Sequence, residues 1–598
     1  MTQQLSWGVA LSSHAQPLLR RLLQAGLIDS IALPPDGERW HGGELGAVLS
    51  AEWPRSRAVV AVGACGAITR LIAPLLQSKH SDPAVVVLDP QGRFAVPLLG
   101  GHGAGADALA LAISALLGGD AVLTGGSARP GQLALDSFGR AWGWRRGPGP
   151  WDALIKAAQR GEAIDLRHER GNGRWQQLEG IGNTPQANSG SNAAPTLLVS
   201  VRAGEGCRWH PPALWLGIGC ERHTSLSLLE RAVRQALELQ GLAEQAVAGL
   251  ASADRKADEP ALLALAQQRG WPLRCFSSPE LAAVAVPNPS AAVLAELGTA
   301  SVAEAAALLA GGPAASLLQE KTIERAQAGE QGAATVAIAQ AAQQWAPQRG
   351  QLHLIGSGPG SLDLLTPDAR AALAQSCVWV GYGLYLDLLE PLRRPDQLRS
   401  EGTLTQERER CREALDLACQ GLTVALVSSG DSGIYGMAGL ALEQWMALAP
   451  ADRPGFTVHP GISALQLAAA RAGAPLMHDF CTISLSDRLT PWPVIERRLQ
   501  AAAVGDFVVA LYNPRSQGRD WQLGRAQELL LSERPAHTPV VVARQLGRAE
   551  EAVSLHSLGD LPINQVDMLS LVLVGNSSSR MEGGRMVTPR GYPGAELS

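Results

Sequence analysis

The chain has 598 residues, 46% of them hydrophobic and 18% charged, with a net charge of −5. That length exceeds what one hydrophobic core serves and implies about three to five domains, while the mild acidity supplies no global field for nucleic acid or an anionic membrane. No apolar run approaches the roughly eighteen residues of a membrane span, and Met1 to Leu19 is read as lacking the basic start and apolar middle of a signal peptide.

Eight cysteines are scattered without a CxxC pair. They are expected to be free thiols in a reducing, cytoplasmic setting, with no protein-bound metal. The only lysines are Lys79, Lys156, Lys256 and Lys321. Genomic base composition explains that bias, yet a lysine retained among arginines offers chemistry that arginine lacks.

Residues 1–119 read as a small α/β unit. A strand over Ala58–Val62 runs into Gly63-Ala64-Cys65-Gly66 and a helix over Ile68–Leu76. Lys79-His80-Ser81-Asp82-Pro83 precedes a strand at Ala84–Leu88, and Pro97 to Asp107, rich in glycine, opens a helix over Ala108–Leu117. Two glycine turns, each beside a histidine, can line one cleft; His80 and His102 as turn or cap residues are the alternative.

These residues resemble the amino-terminal part of the cobalt-precorrin-5A hydrolase family, whose pattern is approximately G-x-x-x-R-x-I-A-P-L-x-x-x-K-x-x-D-P-A-V followed by L-L-S-G-H-x-G-G-A-N. Arg70, Pro74, Lys79, Asp82, Pro83, Gly101 and His102 match it. Gly100, Ala104 and Asp107 depart from it, as does Thr124-Gly125-Gly126-Ser127, where the family's T-T-A-T-D ends in a carboxylate.

Residues 120–205 are less regular, and Asn183 to Ala194 is expected to be an exposed loop or linker. The next unit, 206–342, starts at Leu214-Trp215-Leu216-Gly217-Ile218-Gly219-Cys220, a strand and glycine turn. An amphipathic helix over Ser225–Gln240 follows, capped by Thr224 or Ser225. Asp254 to Pro260 is expected to open another helix, with Asp258 and Glu259 complementing its dipole.

Gly217 to Cys220, Lys256 to Pro260, Val286 to Ser290 and Ser301 to Ala307 resemble the carboxy-terminal module of the same hydrolase family. The lactone opening implied by the resemblance needs a base for water and donors for the oxyanion. Lys256, Glu259, His102 and Glu304 are candidates by type, although Glu304 on an alanine-rich helix also fits a solvated or capping role.

Gln343 to Gly350 marks a domain boundary. Beyond it, Leu352 to Gly360 is a strand ending in a glycine turn that lacks GxGxxG spacing, and Pro359 removes an amide from any phosphate cradle. A strand at Thr423–Val427 ends in Ser428-Ser429-Gly430-Asp431-Ser432-Gly433, before a helix over Met437–Ala447. Strand, glycine turn and helix together mark the ligand edge of an open α/β sheet. Val458-His459-Pro460-Gly461-Ile462-Ser463-Ala464, Met477-His478-Asp479-Phe480-Cys481, Tyr512-Asn513-Pro514-Arg515 and Thr588-Pro589-Arg590-Gly591-Tyr592 complete the set.

These motifs resemble the tetrapyrrole methylases and, within them, the precorrin-3B C(17)-methyltransferases. The resemblance implies a two-lobed α/β domain over 350–598 with S-adenosylmethionine between the lobes, against Pro359, Ser429, Gly430, Asp431, Ile434, Ser463, Ala464, Tyr512, Asn513 and Gly547. Asp431 also fits a turn-forming Asx residue. His459, His478 and Asp479 are candidates for the proton movements of ring contraction, or are caps and backbone partners.

The expected substrate carries many carboxylates. The 350–598 region has arginines and no lysine, and Arg488, Arg515, Arg544 and Arg590 are the candidate carboxylate clamps. The expectation is therefore an α/β multidomain, bifunctional enzyme of corrin synthesis that acts on a precorrin or cobalt-precorrin, with a homodimeric methylase domain. The alternatives are a non-catalytic tetrapyrrole-binding amino half, or methylation at another ring position.

Overall fold

The computed structural model describes residues 5–592 apart from 36, 39, 79–80, 124–130, 188–193, 347–348, 404–405 and 517. The expectations placed on Lys79, His80, Thr124 to Ser127 and much of the Asn183 to Ala194 stretch fall outside the described residues. Within that last stretch Thr184 is buried and donates to Gly180 O at 2.8 Å, so its described part is not a free loop.

Each large sheet is buried on both faces, which is why its central strands read as unbroken apolar runs. The first runs Ser30–Ala32, Leu5–Ala10, Ser56–Val62, Ala84–Leu88, Phe94–Leu99 and Asp120–Ala121, parallel except between Ala84–Leu88 and Phe94–Leu99. The expected helices are Cys65–Ile72 and Ala106–Leu117.

Residues 131–210 are better ordered than their sequence implies. Arg145–Arg146, Cys207–His210, Thr196–Val199 and Asp165–His168 form a four-stranded sheet, so this unit runs past residue 205. Its strands are too short to show a period. The core is built from indoles instead: Trp142, Trp144, Trp151, Trp175 and Trp209 are buried around Phe138.

The third sheet runs Leu273–Phe276, Val247–Ala253, Leu214–Cys220, Ala333–Gln340 and Ser316–Arg325. The helix Leu226–Leu239 has Ser225 at its N-cap, but the Ser225 hydroxyl accepts from Gln331 N at 2.8 Å rather than from the helix. The next helix starts only at Pro260, where proline suits the first helical position. Asp258 and Glu259 thus precede the first turn instead of occupying it.

Two more five-stranded sheets follow, with a small three-stranded one of Gly473–Ala474, Arg585–Val587 and Arg580–Glu582 beside them. The first lobe is all parallel, in the order Leu398–Gly402, Val378–Tyr382, Thr423–Ser428, Gln351–Gly356 and Gly455–His459. The second is mixed, in the order Phe480–Ser484, Val508–Tyr512, Ser570–Val574, Pro539–Arg544 and Ala552–Ser557. The chain crosses between them at Pro460–Ser463. The next helix, Ala464–Ala472, packs in the second lobe's core beside Val508, Val541 and Leu573.

The first lobe and the 131–210 unit share one core, in which Trp142, Trp175 and Trp209 belong to the same cluster as Leu352, Val378 and Leu426. Polar contacts reinforce it. Gln344, expected in a linker, is buried and donates to Trp142 O at 2.7 Å and Gln420 O at 2.9 Å. Arg174 pairs with Glu413. The third sheet attaches through Arg274, which pairs with Asp452 and lies 4.9 Å from the Trp345 ring centroid. All eight cysteines are free, and no described helix is long and apolar enough to cross a membrane.

Candidate functional site: the crevice between two lobes

Three glycine turns meet at the carboxyl ends of the first-lobe strands. Gly358 and Gly430 exchange backbone hydrogen bonds of 3.1 and 2.7 Å. A Cβ on Gly461 would lie 2.1 Å from Gly430 O and 2.6 Å from Gly356 O, and a Cβ on Gly356 would lie 2.5 Å from Gly461 N. No side chain fits at Gly356 or Gly461, where close approach requires glycine, while at Gly358 and Gly430 glycine is favoured by φ of 73° and 64°.

Asp431 ties these turns together. Its Oδ1 accepts from Gly433 N at 2.8 Å and its Oδ2 from Gly461 N at 3.0 Å. Each oxygen keeps a further lone pair. The next residue, Ser432, is fully buried and its hydroxyl has no partner. Ser463 caps the Ala464–Ala472 helix through a reciprocal box with Gln466. The backbone of Ser463 and Ala464 lies within 4 Å of where a Gly430 Cβ would be.

The second lobe closes the other wall. Tyr512 Oη accepts from Leu465 N at 3.2 Å, and burial raises its phenol pKa. Its ring centroid is 5.2 Å from that of Tyr435, whose hydroxyl donates across the lobes to Thr482 O at 3.0 Å. Tyr435 and Asn513 both hold positive φ, 53° and 50°, the kind of strain that gathers at ligand sites. Asn513 Nδ2 donates to Ser484 Oγ at 3.1 Å. A Cβ on Gly547 would lie 3.1 Å from Gly360 N and 3.3 Å from Pro359 C, so the lobes touch backbone to backbone there.

Ser429, Gly430, Asp431 and Ile434 lie on one of the three glycine turns, Pro359, Ser463 and Ala464 on the other two or directly after them, and Tyr512, Asn513 and Gly547 come from the facing lobe. Ile434 is 38% exposed beside the Asp431 turn.

The proton-transfer candidates fare differently. His459 is buried with both ring nitrogens engaged, Nδ1 at 2.6 Å from Asp368 Oδ2 and Nε2 at 2.9 Å from His353 Nδ1. Both nitrogens being engaged favours the structural alternative for His459 over a direct part in proton movement. His478 is exposed and accepts from Asp479 N at 3.0 Å, and the Asp479 side chain is 84% exposed.

Among the clamp candidates, Arg515 donates to Ile563 O at 3.1 Å and Arg544 lies 3.5 Å from Asp567 Oδ2. Both are turned to the protein, whereas Arg488 and Arg590 are exposed. Arg548 escaped the sequence reading. Its Cγ would be 2.9 Å from a Gly360 Cβ, and its charge acts on the Tyr385 phenol, which burial raises. The only signal in the sequence was its position beside Gly547.

In the third sheet, Glu259 is 1% exposed, and its Oε1 accepts from His223 N at 2.9 Å. Its Oε2 has no hydrogen bond and lies 3.7 Å from Arg222 Nη1. Lys256 is half-buried and acts on Cys220, whose thiol burial pushes up to about 11. Glu304 is fully buried, accepting from Asn288 Nδ2 at 2.8 Å and Lys321 N at 3.2 Å. It is neither solvated nor a cap. His102 belongs to the Gly101–Ala104 helix of the first sheet's domain, with its side chain outside the described residues. Among the described residues no three His, Cys, Asp or Glu side chains gather to hold a metal ion.

A parallel sheet and a mixed sheet meeting at three glycine turns define a two-lobed α/β fold. Residues 351–562 match the family described as Tetrapyrrole (Corrin/Porphyrin) Methylases, and the chain belongs to that family. Residues 47–128 and 214–339 match Cobalamin synthesis G N-terminal and Cobalamin synthesis G C-terminus.

A Salmonella typhimurium protein named "Probable cobalt-factor III C(17)-methyltransferase" is 49% identical over 243 residues, 40% of this chain and 99% of its own. A Sinorhizobium protein named Precorrin-3B C(17)-methyltransferase is 43% identical over 253 residues, 41% of this chain and 98% of its own. The crystal structure of the methyltransferase CobJ is 39% identical and covers 40% of this chain and 100% of that one, with a TM-score of 0.38.

Proposed function

We propose that the carboxy-terminal half transfers a methyl group from S-adenosylmethionine to C(17) of precorrin-3B or its cobalt analogue, with ring contraction. We propose further that the amino-terminal half opens the lactone that contraction leaves. The observation that carries the first part is the junction of Gly356, Gly430 and Gly461, where no Cβ fits at Gly356 or Gly461, Gly430 holds a positive φ and Asp431 fixes the spacing. Such a junction lets backbone amides and carbonyls of Pro359, Ser429, Gly430, Ser463, Ala464 and Gly547 meet the amino-acid and nucleoside ends of the donor.

When bound, the donor supplies a methyl group already activated by its sulfonium. This chain's residues then have mainly to orient and enclose. Tyr435 and Tyr512 wall off water between the lobes, and Arg548 is the cation best placed to meet a substrate carboxylate.

Calorimetry with S-adenosylmethionine tests the reading. Wild type is expected to bind it, and Gly430→Trp, folded but filled at the junction, is not. Absence of binding by wild type overturns it. Mass analysis after incubation with a cobalt-bearing or C(20)-oxygenated precursor identifies the methylated product.

For the amino-terminal half, a non-catalytic tetrapyrrole-binding role also draws on an observation. Glu304 is spent on Asn288 and Lys321, and Glu259 on His223 and Arg222. Acetaldehyde release by the full chain decides between the two. Homodimerisation of the methylase half fits its exposed Leu489, 97%, and Val504, 73%, and sedimentation checks it.

A further inference from the structure

The helix Pro367–Gln375 belongs to two cores at once. Ala369, Ala372 and Leu373 are buried with Ile355, Trp379 and Leu386 of the first lobe. Ala371, on another side of the same helix, is buried with Ala106, Ala110 and Ile113 of the amino-terminal domain. Alanines on both helices let Pro367–Gln375 and Ala106–Leu117 pack closely.

The amino-terminal end of this shared helix reaches the crevice. Thr366 caps it, accepting from Ala369 N at 3.2 Å, and its hydroxyl proton goes to Pro460 O, also 3.2 Å away. Two residues on, Asp368 Oδ2 accepts from His459 Nδ1 at 2.6 Å, and this hydrogen bond holds the Asp368 carboxyl below the usual range. His459 Nε2 is fixed in turn by His353 Nδ1. His353 is 7% exposed, and among the described residues its other nitrogen has no partner and His459 supplies its one side-chain hydrogen bond. Held at both ring nitrogens, His459 cannot flip without breaking both contacts.

What this chain of contacts holds is the one place where the polypeptide passes from the first lobe to the second. Pro460–Ser463 is that passage, and its Gly461 is the residue pressed against Gly430 and Gly356 and bonded to Asp431. A shift of a few tenths of an ångström there moves the crevice wall, because nothing between the turns can give.

We propose that Thr366, Asp368 and His353 are positioning residues for the donor site. Acting through Pro460 and His459, they set the Pro460–Ser463 turn against the other two glycine turns, and the amino-terminal domain steadies them by gripping the same helix. The site's ligand class is a nucleoside-bearing amino acid, so this inference rests on reading the crevice as the donor site. A polar network that merely stabilised the lobe would change melting temperature and leave ligand affinity alone.

Two readouts on the full chain separate these roles. The first, hydrogen exchange of the 459–465 backbone without ligand, tests the latch even if the donor reading is wrong. In Asp368→Ala, exchange of this segment is expected to rise about tenfold relative to the sheet strands. The second is calorimetry with S-adenosylhomocysteine together with methyl-transfer kinetics. Asp368→Ala is expected to weaken binding and raise donor KM about tenfold, with kcat at saturating donor within about twofold.

Asp368→Asn keeps an acceptor for His459 and is expected to recover most of that loss. Thr366→Val, nearly isosteric, serves if Asp368→Ala fails to fold, and is expected to move both readouts in the same direction. If neither exchange nor affinity moves in folded Asp368→Ala and Thr366→Val, the latch is overturned. If wild type binds no donor while exchange still rises, the donor reading falls and the latch stands as a brace of the lobe crossing.

Discussion

The first lobe shares buried side chains with two units that precede it: Trp142 and Trp175 enter its core on one face, and Ala371 leaves it for the amino-terminal domain on the other. The second lobe is built differently. Among the described residues, its two cores take in nothing earlier than Leu364. One wall of the crevice is therefore fixed to the hydrolase-like body, while the other hangs from it through the Pro460–Ser463 passage and the contacts at Tyr435 and Gly547. Fusion here braces one lobe, and among the described residues the other is tied to the rest of the chain only at the crevice.

The sharpest way to break this contrast is to cut the chain. Separating residues 1–345 from 346–598 uncovers the indole core and the strands it covers, so both fragments are expected to lose cooperative unfolding in calorimetry. Chain breaks at loops within the second lobe are expected to be milder. A single-residue version is Trp175→Ala, which empties a fully buried site. It is expected to cost about 3–5 kcal/mol in denaturant unfolding, with donor affinity little changed in the folded fraction.

Gln344→Ala is smaller. It removes the partner of Trp144 Nε1 and of the carbonyls of Trp142 and Gln420; water entering the space of the lost amide serves part of these groups, so the expected loss is about 1–3 kcal/mol in total.

The smallest effect is a pH dependence on the fixed lobe. Burial, with the His459 ring beside it, lowers the His353 pKa from 6.5 to about 4. The folded state thus binds fewer protons than the unfolded one between those values. Stability from this group is present above about pH 6.5 and is lost as pH falls through 4. The melting temperature of His353→Phe is expected to fall less than that of wild type over that interval.

Local chemistry was legible in the sequence, and long-range chemistry was not. The turns at Gly358, Gly430 and Gly461 announce themselves because a strand, small residues and a helix start are neighbours in the chain. The Asp368–His459 contact joins residues 91 apart, and no spacing rule points from one to the other. Glu259 was misplaced into a helix because acidic residues near a proline suit a first turn, when Pro260 itself is that turn's first residue. The 131–210 unit reads as irregular because its strands are two to four residues long and its tryptophans sit on turns, helices and one strand, so they carry no period though they converge in space.

That convergence has an optical consequence. Trp142 and Trp144 have ring centroids 5.9 Å apart, Trp144 and Trp175 6.2 Å, and Trp151 and Trp209 5.6 Å. Indoles so close and so rigidly held couple their electronic transitions. The near-ultraviolet dichroism of this chain should be dominated by the seam between its methylase half and the units that precede it, which makes the seam's integrity visible in solution without any label.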